Sequence, residues 1–107
     1  MMRERRKSPR IKVYFSARWE GVLAQQDGTI SDLSTGGCFI LTPGDVIKSE
    51  LIRVEIFMPE GEPLALWGEV VEHFNEIGFS LRFTGGSGEE EARLAQFIQQ
   101  VLDSNIQ

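Results

Sequence analysis

Apolar and polar residues alternate along several stretches of the chain, the pattern of strands that bury one face. The first stretch runs from Ile11 to Glu20, and its apolar side is formed by Ile11, Val13, Phe15, Ala17 and Trp19. Similar stretches run from Leu51 to Met58, from Leu64 to about Phe74, and from Ile77 to Phe83. The segments between these stretches contain turn residues and show no helical periodicity. The sequence therefore predicts an all-β antiparallel barrel or sandwich.

Two shorter stretches complete the predicted sheet. The Asp27-Gly28 pair is a strong signal for a hairpin turn. The continuous apolar run Cys38-Phe39-Ile40-Leu41 predicts a strand that is buried on both sides. Trp19 and Trp67 both fall in alternating stretches, so we expect both rings to pack in the core.

The period changes after Thr84-Gly85-Gly86. Ser87-Gly88-Glu89-Glu90 matches a capping box, with acidic side chains at the positive end of the helix dipole. Apolar residues then recur at helical spacing, at Leu94, Phe97, Ile98, Val101 and Leu102. The sequence therefore predicts one amphipathic C-terminal helix, at about residues 87–103, that packs on the barrel or covers its open end.

Charge is distributed unevenly. The chain carries 11 Lys and Arg against 16 Asp and Glu, a formal charge of −5. Most of the cations lie near the N-terminus, at Arg3, Arg5, Arg6, Lys7, Arg10, Lys12 and Arg18. Residues 1–10 therefore form a basic arm that we expect to be flexible, followed by an acidic domain over residues 11–107.

The sequence offers little for catalysis. One cysteine, Cys38, and one histidine, His73, cannot form a disulfide or a zinc site. No nucleophile is placed beside a base, so we expect a protein that is not an enzyme and has no cofactor. No apolar segment reaches membrane-spanning length and no signal-peptide pattern is present, so we expect a cytoplasmic protein without membrane insertion.

Two short segments instead suggest binding. Arg6 and Arg10 bracket Lys7-Ser8-Pro9, and a guanidinium can pair two donors with guanine N7 and O6 or with phosphate oxygens. Asp32 can accept from the N–H groups of guanine's Watson–Crick edge, and Ser34 can donate to a phosphate or share that edge. Gly36 and Gly37 allow the backbone to approach a ligand closely. The two segments together complement a guanine-bearing phosphodiester.

These segments resemble the two motifs of the PilZ domain family. Arg6-Lys7-Ser8-Pro9-Arg10 fits RxxxR, and Asp32-Leu33-Ser34-Thr35-Gly36-Gly37 fits DxSxxG. Ile77-Gly78-Phe79-Ser80-Leu81-Arg82-Phe83 is similar to the family's final glycine-containing strand. The resemblance runs from about Arg5 to the C-terminal helix.

The resemblance implies a six-stranded antiparallel barrel that acts as a receptor for cyclic di-GMP. Arg6 and Arg10 would hold guanine and phosphate, and Arg5, which flanks the motif, would add phosphate contacts. Asp32 and Ser34 would read the guanine edge, with Gly37 fixing the turn. Binding would order the arm and signal to an unidentified protein effector. The ligand's stoichiometry, single or an intercalated dimer, stays open.

One segment departs from the family pattern. Family members often carry an aromatic or basic residue in the penultimate strand near the ligand, whereas this chain reads Val70-Val71-Glu72-His73. A carboxylate at Glu72 would weaken binding of a dianionic ligand if it faced the site.

Two other functions remain as alternatives. A barrel that binds a protein without nucleotide would leave the arginines as a solvated tail. A small barrel that binds nucleic acid would use the same basic arm, but the acidic remainder of the chain disfavours it, so we expect no DNA or RNA partner.

Overall fold

The computed structural model describes residues 9–104, which form a closed antiparallel barrel and one helix. The strands are β1 (Ile11–Glu20), β2 (Gln25–Leu33), β3 (Gly37–Leu41), β4 (Leu51–Ile56), β5 (Leu64–Phe74) and β6 (Gly78–Gly85). Around the barrel their order is β1-β2-β3-β6-β5-β4, with β4 pairing back to β1. The predicted all-β fold, a six-stranded antiparallel barrel with a C-terminal helix, is confirmed.

The barrel interior is filled by the apolar side of each alternating strand. Trp19 and Phe79 are fully buried and meet edge to face, with ring centroids 5.2 Å apart. The Trp19 indole Nε1–H donates to Thr42 Oγ1 at 3.2 Å, which satisfies the one polar atom of the ring. These two buried rings, with the indole N–H hydrogen-bonded, form the centre of the barrel core.

The helix α1 (Gly88–Ser104) begins and ends one residue later than the predicted 87–103. Its start is the predicted capping box, in which Glu90 N donates to Ser87 Oγ at 3.1 Å. Glu90 Oε2 also accepts from Ala65 N at 3.1 Å, which joins the helix start to β5. Leu94 and Ile98 bury the apolar face. In the part of the chain that the structure describes, no helix is long and apolar enough to cross a membrane.

The prediction of a hairpin turn at Asp27-Gly28 is wrong. These residues lie inside β2, where Gly28 pairs with Ala17 of β1, and the turn lies earlier, closed by Gly21 N donating to Ala24 O at 2.8 Å. A Cβ on Gly28 would lie 2.8 Å from Ile40 Cγ2, so glycine is needed there for close packing against β3. The Asp-Gly pair therefore reflects packing and not turn geometry.

Two burial predictions also need correction. The strand β3 is not buried on both sides, because Leu41 is exposed and Phe39 is half-buried against the ring of Phe74 at 5.9 Å. Trp67 is not a core residue: its position in β5 points outward and the residue is 47 % exposed. The alternation in β5 puts Leu66 and Gly68 inside, which leaves the residue between them on the surface.

Candidate ligand-binding site

A cleft of about 380 Å³ lies on the outside of the barrel, where the turn between β2 and β3 meets β6 and β5. It brings together four of the predicted site residues: Arg10, Asp32, Ser34 and Gly37. The remaining predicted residues, Arg5 and Arg6, lie outside the described part of the chain. The cleft also contains residues that the sequence did not single out, among them Phe39, Val71, Ser80 and Arg82.

A second hollow, of about 460 Å³, lies at the start of α1. Its charged lining consists of the carboxylates Glu62, Glu89 and Glu90 and one cation, Arg93, which already donates to the Glu62 carbonyl oxygen at 2.6 Å. This balance of charge disfavours a phosphate-bearing ligand. The cleft beside Asp32 is therefore the better candidate, although it is smaller.

Ser34 holds the turn that forms one wall of the cleft. Its Oγ accepts from the backbone N–H groups of Gly36 and Gly37, each at 3.1 Å. Its own N–H donates to the Gly37 carbonyl oxygen at 2.9 Å. Ser34 itself is buried, and its hydroxyl gives the N–H groups of the exposed Gly36 and the half-buried Gly37 an acceptor within the turn. A direct contact between Ser34 and a ligand stays a prediction.

Gly37 and Gly36 fix this turn against β6. Gly37 pairs with Arg82, and a Cβ at Gly37 would collide with the carbonyl oxygen of Leu81. Phe83 N donates to the Gly36 carbonyl oxygen at 2.9 Å, one residue beyond the pairing. The predicted role of Gly37 in the turn thus has a structural basis in the close approach of two backbones.

We expect Ser34→Ala to lower the free energy of unfolding by about 1 kcal/mol, because two backbone N–H groups in a partly exposed turn lose their acceptor. Urea unfolding followed by circular dichroism measures the change. Ser16→Ala is the control, since Ser16 is an exposed hydroxyl on β1. Equal stability of the two variants would show that the Ser34 hydroxyl does not hold the turn.

Asp32 is placed by the pairing of β1 with β2. It lies directly opposite Lys12, and Lys12 Nζ is 3.0 Å from Asp32 Oδ1. The Asp32 side chain is 22 % exposed and lines the cleft, and its ion pair with Lys12 is through Oδ1. Lys12 was not predicted as a site residue, because its contact with Asp32 depends on the register of two strands.

Two arginines bring positive charge to the cleft. Arg10 lies just before β1 and is exposed. Arg82 lies on β6 and forms an ion pair with Glu69 of β5, while its side chain stays 60 % exposed. In the sequence, the one signal for Arg82 is that it lies on the polar side of the final strand, away from the apolar side that faces the core. Arg10 forms no ion pair within residues 9–104, whereas the Arg82 guanidinium would be shared between Glu69 and an anionic ligand.

A bulge in β5 decides which of its residues faces the cleft. Val70 pairs with Leu81 and Glu72 with Ser80, so the pairing shifts register between Val70 and Glu72. Val71, between them, lines the cleft and is 43 % exposed, whereas Glu72 is not part of the lining. In the segment that departs from the family pattern, β5 therefore presents the apolar Val71 to the cleft and not the carboxylate of Glu72.

The only thiol and the only imidazole are not arranged as a reactive pair. Burial raises the pKa of the Cys38 thiol, which keeps it protonated near neutral pH. His73 Nε2 is buried and has no hydrogen-bond partner within residues 9–104.

The arrangement of the cleft on a closed barrel agrees with a family comparison. A family model described as PilZ domain matches residues 4–100. The chain belongs to the PilZ domain family. That match spans both motifs, including the arm residues outside the described structure. No curated protein matches the chain.

Solved structures share the PilZ fold. The PilZ domain of YcgR from Escherichia coli with c-di-GMP is 18 % identical with a TM-score of 0.74, and 94 % of each chain is covered. The Bacillus subtilis inhibitor of motility MotI/DgrA is 20 % identical with a TM-score of 0.78, and the K. pneumonia MrkH–c-di-GMP complex is 17 % identical with a TM-score of 0.78. Each of these two alignments covers 94 % of this chain. The chain spans about half of each of these proteins, 52 % of MotI/DgrA and 54 % of MrkH. These likenesses concern the fold.

Proposed function

We propose that this PilZ protein is a non-catalytic receptor for cyclic di-GMP that orders its N-terminal arm on binding and signals through a partner protein. The observation that carries the proposal is the cleft in which Arg10, Asp32 and the Ser34–Gly37 turn come together. Structures of YcgR and MrkH with c-di-GMP show that the same fold can take this ligand.

The chemistry of the cleft suits a cyclic dinucleotide. The ligand carries two phosphates, for which the guanidinium groups of Arg10 and Arg82 provide charge and paired donors. It also carries guanine, whose Watson–Crick N–H donors match the acceptor oxygens of Asp32. Apolar contact with the bases can come from Phe39 and Val71, which line the same cleft. Each part of the ligand thus has a complementary group.

The proposal places the arm over the ligand. Arg10 is the first cleft residue along the chain, and the RxxxR motif extends from it toward Arg6 and Arg5. A charged segment without apolar periodicity gains order mainly from contacts with a ligand of opposite charge. Ordering of residues 1–10 is the change that a partner protein would detect.

Hydrogen–deuterium exchange tests both parts of the proposal in one experiment. With cyclic di-GMP, we expect slower exchange in peptides covering residues 4–12 and 31–38, and no change in the peptide covering Leu51–Ile56 on the far side of the barrel. Protection of residues 31–38 alone would contradict arm ordering while leaving the receptor intact. No protection at saturating ligand concentration would contradict the receptor function.

A further inference from the structure

The ion pair between Lys12 and Asp32 places a donor beside an acceptor at the rim of the cleft: Asp32 lines the cleft, and Lys12 adjoins it without being part of the lining. Lys12 Nζ is 3.0 Å from Asp32 Oδ1, and the Lys12 side chain is 89 % exposed. An ammonium carries three N–H donors, so Asp32 uses one and leaves two for a ligand. A carboxylate has about four lone-pair directions, so Asp32 can hold Lys12 and still accept from a ligand.

A donor (Lys12) beside an acceptor (Asp32) matches the Watson–Crick edge of guanine. The Watson–Crick edge of guanine presents the O6 acceptor, then the N1–H donor, then the N2 amino donor. We infer that Lys12 donates to guanine O6 while Asp32 accepts from N1–H and N2–H, so that the ion pair reads the whole edge. The inference rests on the proposed receptor function and assigns a specificity role to Lys12, which lies outside both family motifs.

The same pair opposes adenine. Adenine places an amino donor where guanine has O6, which would face the Lys12 ammonium, and an acceptor at N1, which would face the Asp32 carboxylate. Both contacts are unfavourable, so the pair selects by repulsion as well as by attraction. Lys12 therefore affects the choice of base, whereas a cation that serves only the phosphates affects both bases equally.

The test compares Lys12→Met with Arg18→Met in the full chain. Arg18 lies on the same strand, in the same pairing with β2, but its opposite residue, Asp27, does not line the cleft, whereas Asp32 does. We expect Lys12→Met to raise the Kd for cyclic di-GMP about tenfold and Arg18→Met to leave it within about twofold, with Lys12→Arg restoring most of the loss. Equal Kd values for the Met variants would overturn the role of Lys12.

Competition with cyclic di-AMP, up to millimolar concentration, separates base reading from phosphate attraction. We expect the Kd ratio of cyclic di-AMP to cyclic di-GMP to fall at least about tenfold in Lys12→Met, because guanine loses its O6 contact and adenine loses the repulsion of its amino group. A parallel loss for both ligands would overturn the O6 contact. A wild-type protein that is folded but binds no cyclic di-GMP would overturn the receptor function itself.

Discussion

Replacing Asp32 by alanine is expected to weaken binding of cyclic di-GMP by about 2–5 kcal/mol, the range for losing one partner of a buried charge-assisted contact. The carboxylate is the acceptor in the cleft that suits the N–H donors of guanine, and its removal also leaves the Lys12 ammonium unpaired. Titration calorimetry of the variant and the wild type measures the difference. Arg10→Ala should fall in the same range if its guanidinium contacts a phosphate.

The matched control is Asp27→Ala. Asp27 lies on the same strand as Asp32 and faces Arg18 across the same pairing, but it is exposed and outside the cleft. Its loss changes the net charge by the same amount, so a general effect of charge would appear in both variants. An unchanged Kd for Asp32→Ala, in a folded protein, would contradict the assignment of Asp32 to the site.

Phe79→Ala is expected to lower the free energy of unfolding by about 3–5 kcal/mol, because its ring is fully buried and the cavity it leaves cannot close easily. The ring packs edge to face on Trp19 at the centre of the barrel, so the loss includes that aromatic contact. Chemical denaturation with a two-state fit measures the change, and fluorescence in a Trp67→Phe background, where Trp19 is the one remaining tryptophan, probes the region directly.

Tyr14→Ala is the control for the core prediction. Tyr14 is 83 % exposed on β1, so its removal should cost less than about 1 kcal/mol. Phe97→Ala should cost an intermediate amount, since Phe97 is only partly buried against Phe15, at a centroid distance of 5.7 Å. A loss at Phe79 no larger than at Tyr14 would contradict the described core.

Local patterns in the sequence predicted most of the fold. Alternation located β1 and β5 almost to the residue, and the capping box at Ser87 located the start of α1. These signals are readable because each depends on neighbours within a few positions along the chain. A closed barrel, as opposed to a sandwich, came from the family resemblance and not from periodicity.

The errors arose where distant strands decide the outcome. Asp27-Gly28 has the composition of a turn, but Gly28 is small because β3 packs closely against it. Trp67 sits in an alternating strand, yet the phase of that alternation turns its ring outward. Composition and propensity do not report which strand will pack against a given residue.

For the candidate site too, local patterns could be predicted from the sequence, and contacts between strands could not. The proximity of Asp32, Ser34 and Gly37 was predictable because they lie within six residues, from the end of β2 to the start of β3, while their contact with a ligand stays a prediction. Arg82 reaches the cleft through the register of β6 on β3, and Lys12 reaches Asp32 through the register of β1 on β2; a linear motif records neither. The bulge that turns Val71 toward the cleft in place of Glu72 is likewise a property of strand pairing.

Titration calorimetry of the full chain with cyclic di-GMP tests the central claim most directly, with GTP, cyclic AMP and a short single-stranded oligonucleotide as competitors at moderate salt. We predict saturable binding of cyclic di-GMP that none of the competitors displaces, and the fitted stoichiometry will distinguish a single ligand from an intercalated pair. A folded protein that releases no heat with cyclic di-GMP at two well-separated temperatures, or that binds the oligonucleotide with a steep salt dependence instead, would contradict the receptor function.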